Sequence, residues 1–327
     1  MIFSLAITGP TASGKTALSL SLAERLSGEI ICSDSMQIYK GMDIGTAKAT
    51  AEERARAPHH LLDIAHPSEN FSAFRYREYA IECAQKVTSR GNLPIFVGGT
   101  GLYINTLMRA PGCDVPEASV EYRRRILDKI QNDGDVEELW QRLYQVDPDS
   151  AEKIHKNNVK RVIRALEIYD ATGVTKTELD RRSREPSPEI FVGMITLDFH
   201  NRDTLYARID KRVDIMMGEG LVDEVSALYS RGAIPDGSTA SQAIGYKEII
   251  SHLRGECTLS EAVDKIKLAT RRYAKRQLTW FRNTAGACTL YMDDNEGNMR
   301  PQDEVVLEAL AFAGDFKSRY LGETNEN

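Results

Sequence analysis

Two textures alternate along the chain. Short apolar runs rich in β-forming residues fall at residues 2–8, 29–32, 94–97 and 190–199, and a further short apolar stretch at 60–64. Between them apolar residues recur three or four positions apart, as Leu18, Leu22 and Leu26 do in residues 17–26. Residues 72–90 show the same spacing, with Phe74, Tyr79, Ile81 and Val87 among the apolar members. The first texture predicts buried strands and the second amphipathic helices. Their alternation predicts an α/β fold with a parallel, doubly wound sheet. From about Pro116 to Ser187 the strand texture is gone. Residues 121–131, 136–146 and 159–172 read as helices, and 184–188 as a linker. The predicted organisation is therefore a core of residues 1–115 and 189–327, interrupted by an all-helical insertion at 116–188. Residues 201–232, 242–253, 259–283 and 305–312 add helices to the core.

Where the first run meets the first helix the chain reads GPTASGKT: Gly9, Pro10, Thr11, Ala12, Ser13, Gly14, Lys15 and Thr16. This is a phosphate-binding loop in its required strand–loop–helix setting. Gly9 and Gly14 let backbone N–H groups turn inward around anionic oxygens. The helix start adds the positive end of its dipole. Lys15 would reach the outer phosphates and the Thr16 hydroxyl would ligate Mg²⁺. Such a loop grips any polyphosphate. It does not separate a nucleotide from a diphosphate ester.

Two further strand ends carry reactive groups. Asp34 follows the second run, and Thr100 follows the run at 94–97 within Gly98-Gly99-Thr100-Gly101. Ligands on parallel sheets sit at the carboxyl ends of the strands, so the loop, Asp34 and Thr100 should converge. Asp34 suits proton acceptance from a nucleophile or a place on Mg²⁺; its bland reading is a turn cap. A phosphotransferase would normally add an Asp after an apolar strand to organise the metal. The run at 94–97 ends in glycines and Thr100 instead, which weakens that reading.

At 327 residues there is room for a large core and an insertion. The five cysteines, Cys32, Cys83, Cys113, Cys257 and Cys288, form no C-x-x-C pair. That argues against a zinc finger or disulfide framework and suits a reducing, cytoplasmic setting. No leader texture precedes the first strand, and no apolar run nears the ~20 residues that span a bilayer. A net charge of −6 does not favour a nucleic-acid partner. Local clusters argue the other way. Lys160, Arg161 and Arg164 share a helix face by spacing, as do Arg208, Lys211 and Arg212. Arg271, Lys275 and Arg282 form a third arc, with Arg272 and Arg276 alongside. Each alone is more often a solvated face, but three in an acidic chain imply segregated charge. Polynucleotide phosphates are its natural target. His59 and His60 read as structural, and Asp293 with Asp294 as an exposed turn.

Together these stretches resemble the tRNA dimethylallyltransferase family, also called tRNA isopentenyltransferases, in its bacterial form. The resemblance runs from about residue 2 to residue 283. It rests on GPTASGKT, DSMQIYKGMDIGTAK, PHHLLD, LPIFVGGTGLYINTL, LYARIDKRVDIM, QAIGYKE and TRRYAKRQLTWFRN. It implies a P-loop NTPase-like parallel sheet flanked by helices. It also implies transfer of a dimethylallyl group from dimethylallyl diphosphate to N6 of the adenosine just 3′ of the tRNA anticodon. The loop's phosphates would then be a leaving diphosphate, held by residues 9–16 and Arg208, with Mg²⁺ on Thr16. By the same resemblance Asp34 is the general base and Thr100 lies near the reacting centre. Ser35, Met36 and Gln37 surround the flipped base. Further tRNA contacts are expected from Arg123, Asn157, Asn158, Val159, Lys160 and Arg161, and from Gln242, Ala243, Ile244, Gly245, Tyr246 and Lys247. The insertion and the core are expected to clamp the anticodon stem-loop, in a monomeric enzyme. The competing readings are a P-loop kinase of a small metabolite or nucleotide, and a nucleotide-gated RNA-binding module.

Overall fold

In a computed structural model of the chain, the described residues are 1–110, 119–182 and 185–325. The division expected at 116, Cys113 and the linker's Arg184 lie outside them. The chain forms two units, Met1–Leu107 with Glu189–Asn327, and Met108–Pro188.

The first unit is built on six parallel strands: β1 Ile2–Thr8, β2 Gly28–Cys32, β3 His59–His60, β4 Leu93–Val97, β5 Ile190–Asp198 and β6 Cys288–Tyr291. Their order across the sheet is β3-β2-β4-β1-β5-β6. β1 lies inside the sheet, with Leu5 opposite Ile95 on β4 and Gly193 on β5. Ser4 to Thr8 are all buried, as strands covered on both faces must be. The expected α/β parallel sheet flanked by helices is what forms.

Helix α1, Lys15–Leu26, turns Leu18, Leu20 and Leu22 onto the sheet and ends at Ser27 in the left-handed region. After α2, Ala51–Arg56, comes α3, Ala73–Ser89, whose Ser72 cap accepts the Arg75 N–H. Helix α4, Gly101–Met108, follows β4. The segment expected to be helical at 201–232 forms two helices, α10 Arg202–Gly218 and α11 Leu221–Ser230, broken at Gly220 with φ +100°. Helix α12 is Tyr246–Leu253 and α13 is Leu259–Arg282. The terminal helix α14, Gln302–Asn325, is much longer than expected. Its Phe316 stacks on Phe191 at 4.6 Å and lies over Gly193, where a Cβ would come within 2.5 Å of the ring.

The second unit has α5 Val120–Leu127, α6 Asp133–Val146, α7 Pro148–Lys153, α8 Val159–Thr172 and α9 Lys176–Arg182. Leu143, Ala151, Val162 and Leu166 form its core beside Trp140, whose indole N–H donates to the Ala151 and Ile154 carbonyls.

Candidate active site

The glycine loop joins β1 to α1. Gly9 has φ +138°, and a Cβ there would lie 2.7 Å from the Leu197 carbonyl, so only glycine fits. Gly14, at φ +98°, starts α1. The first N–H groups of that helix have no intrahelical acceptor and carry its positive dipole end. Ser13 Oγ is buried with no hydrogen-bond partner among the described residues. The Lys15 ammonium donates to the Gly9 carbonyl at 3.1 Å and the Pro10 carbonyl at 2.6 Å. Burial lowers its pKa to about 7; the charge of Arg212 pushes the same way and Asp34 opposes. From α10, Arg208 donates Nε to the Ala12 carbonyl at 2.9 Å, fastening itself to the loop. One turn on, Arg212 is half-buried with no ion pair among the described residues, and burial lowers its pKa too.

Asp34 lies two residues beyond β2. Its Oδ1 accepts the Met36 N–H at 2.9 Å. Among the described residues its other oxygen takes no hydrogen bond and no cation pairs with it. Thr100 Oγ1 accepts the Ser35 N–H at 3.0 Å and donates to Ser35 Oγ at 3.2 Å. Thr100 is absent from the cavity wall. Thr100 thus braces the segment that carries Asp34. The Gln37 carboxamide is likewise engaged, donating to the Thr46 and Ala47 carbonyls at 3.0 and 3.2 Å. On α13, buried Gln277 joins two strand-end loops: it accepts the Thr11 N–H at 3.0 Å and donates to the Gly99 carbonyl at 2.9 Å.

These groups meet in a cavity of about 920 Å³ within the first unit. Thr11 to Thr16, Asp34 to Gln37, Arg208, Gln242 to Gly245 and Lys247 all line it. Lys211, Arg212, Arg272 and Arg276 add charge, against only Asp34 and Glu53 as acids. Val213, Met216, Leu221, Ile266 and Ala269 form an apolar part of the wall, with Tyr273 nearby. Gly9 and Pro10 contribute their carbonyls to Lys15 instead of lining the cavity. Tyr246 is fully buried, and its hydroxyl donates to Glu224 at 2.6 Å, so its side chain is not the expected RNA contact.

The basic clusters divide. Arg271 is bonded to Asp210 at 2.8 Å and Arg282 to buried Asp198 at 2.7 and 2.8 Å, so both fasten α13 to its neighbours. Asp293, expected in an exposed turn, is fully buried and accepts the His200 and Asn201 N–H groups. In the second unit Arg123 and Arg164 share buried Glu167, at 3.2 and 2.7 Å. Asn157, Asn158, Lys160 and Arg161 are exposed and Val159 half-buried, and neither cation has an ion pair among the described residues.

Sequence reasoning passed over Gln277 and the apolar wall, and gave Arg212 only a place in a basic cluster. Gln277 carried a signal: it interrupts the apolar stripe of Ala274, Leu278 and Phe281. No group of three or more His, Cys, Asp or Glu able to hold a metal occurs among the described residues. None of their helices is long and apolar enough to cross a membrane.

Residues 37–284 match the model of the IPP transferase family. A tRNA dimethylallyltransferase of Halalkalibacterium halodurans is 50% identical over 291 residues, 89% of this chain and 91% of that protein. Among solved structures, the full-length tRNA isopentenylpyrophosphate transferase of Bacillus halodurans is 43% identical with a TM-score of 0.71, covering 99% of this chain and 100% of that one. A eukaryotic dimethylallyltransferase acting on tRNA is 29% identical with a TM-score of 0.80, over 98% of this chain and 80% of that one.

Proposed function

The chain belongs to the IPP transferase family, whose members are prenyltransferases, and from that premise we propose how it prenylates tRNA. The donor is dimethylallyl diphosphate and the acceptor is N6 of the adenosine just 3′ of the anticodon. The observation that carries this reading is the joint occupancy of one cavity wall. A phosphate cradle, a carboxylate with an unbonded oxygen and an apolar surface all face the same space. A kinase reading explains the cradle but gives the apolar wall no task.

The chemistry follows from those parts. Lys15, Arg208 and the loop's amides hold the diphosphate, and the partnerless Ser13 hydroxyl supplies a further donor. The allylic C–O bond breaks with its electron pair leaving on the diphosphate, while N6 bonds to the allyl carbon. The N6 proton passes to Asp34, which first aligns the weakly nucleophilic amine. The apolar wall seats the dimethylallyl chain and excludes water from the cationic carbon. Thr100 acts through Ser35 by holding the Asp34 segment. For Mg²⁺ the protein offers the half-buried Thr16 hydroxyl on the wall; the other ligands would be diphosphate oxygens and water, which suits this cation. Bound there, Mg²⁺ would neutralise charge on the leaving group. The base must be flipped from its stack to reach Asp34, at a cost of a few kcal/mol. Free thiols at Cys32, Cys83, Cys257 and Cys288 support a cytoplasmic setting.

The test incubates the protein with unmodified tRNA, Mg²⁺ and dimethylallyl diphosphate and weighs the digested nucleosides. Dimethylallyladenosine is expected from the unaltered protein. Asp34→Ala should lose about 10²–10⁴-fold in rate while still binding tRNA. Phosphate transfer from ATP with no prenylated nucleoside would overturn the reading.

A further inference from the structure

Glu224, in the first turn of α11, does not line the cavity. Its carboxylate is nevertheless saturated. Oε2 accepts the N–H groups of Asp43 at 2.9 Å and Ile44 at 2.8 Å. Oε1 accepts the Gly45 N–H at 3.1 Å and the Tyr246 hydroxyl at 2.6 Å. Three consecutive backbone donors thus converge on one side chain about 180 residues away. An ionised carboxylate has about four acceptor sites, and all four are used.

The captured loop is part of the site. Gly45, Thr46 and Ala47 lie on the cavity wall beside Gln37. The Thr46 and Ala47 carbonyls are the acceptors that hold the Gln37 carboxamide, three residues from Asp34. Tyr246 closes the packing: a Cβ on Gly45 would come within 2.5 Å of its ring. A second anchor stands at the loop's far end. The buried Lys48 ammonium bonds the Tyr39 carbonyl at 2.8 Å and Asp43 and Asp63 at 2.6 Å each.

We propose that Glu224 is a positioning residue for the acceptor side of the site. By gathering the amides of residues 43–45 it sets the loop's carbonyls, and through them Gln37 and the segment that carries Asp34. The donor side is held by different contacts, from Arg208 and Gln277, which Glu224 does not touch. The proposal rests on the assignment of residues 34–37 to the acceptor base.

Glu224→Gln keeps the shape but turns an N–H₂ group toward backbone donors; Glu224→Ala removes every acceptor. The expected result is a KM for tRNA raised about tenfold in the Gln variant and further in the Ala variant, with the KM for dimethylallyl diphosphate unchanged. Amide hydrogen exchange should quicken at residues 43–45 in both. Tyr246→Phe, which removes one of four donors, should have the smallest effect. Equal rises in both KM values, or an unchanged KM for tRNA in a variant whose amides exchange faster, would overturn the proposal. Failure of the underlying functional reading is distinguished by absence of prenylated product from the unaltered protein.

Discussion

Two carboxylates at opposite ends of β2 show how hydrogen bonding separates structure from chemistry. Glu29, within the strand, is buried and saturated: Arg90 donates at 3.0 and 2.7 Å, Asn92 at 2.7 Å, and His60 shares a 2.5 Å contact. The Arg90 hydrogen bond, helped by Asn92 and His60 against the cost of burial, holds its pKa down to about 2. Asp34, beyond the strand's other end, keeps one oxygen unbonded among the described residues, free to take an incoming proton. Glu29 therefore belongs to folding. Its folded pKa lies below the unfolded value of roughly 4.3, so its contribution is complete above that pH and is lost as pH falls through about 2. Glu29→Gln should cost on the order of 2 kcal/mol near pH 7, and the deficit should shrink toward pH 2. Urea denaturation at a series of pH values measures this. A deficit constant with pH would mean that the carboxylate charge does not matter.

Helix α13 is the element that assembles the site, because Gln277 ties the glycine loop to the loop after β4. Gln277→Leu preserves much of the volume but leaves the Thr11 N–H and the Gly99 carbonyl without that partner, at about 1–3 kcal/mol. We expect a lower Tm and a raised KM for the diphosphate donor, with tRNA affinity little changed. Calorimetry and initial rates check both; an unchanged donor KM would reduce Gln277 to a core contact. This helix was legible as a helix from its apolar spacing, and so were β1, β2, β4 and β5, whose buried faces make continuous apolar runs. The edge strand β6 and the short helices α2, α4, α7 and α9 were not, since a few residues carry too little periodicity. At the site, the glycine loop and Asp34 were legible because each is local in sequence. Gln277 and Glu224 were not: most of their partners are backbone atoms some 180 to 266 residues away, and backbone atoms leave no sequence pattern.

At the scale of the whole molecule, a net charge of −6 would repel RNA if charge were spread evenly. It is not. Lys211, Lys247, Arg272 and Arg276 line the cavity of one unit, and exposed Lys160 and Arg161 open helix α8 of the other. Binding through such cations releases counterions, so tRNA affinity should fall steeply with salt. The two α8 cations provide the sharper test because they are remote in sequence from every cavity residue. If each meets one phosphate, Lys160→Glu with Arg161→Glu should reduce the slope of log K against log salt by about 1–2. The rate at saturating tRNA should stay the same. Arg164→Glu is the contrasting variant. Its guanidinium is bonded to buried Glu167, so reversal sets two carboxylates together and should appear as a lower Tm. An unchanged salt slope in the double variant would remove this face of α8 from the RNA interface and leave recognition to the cavity's own cations.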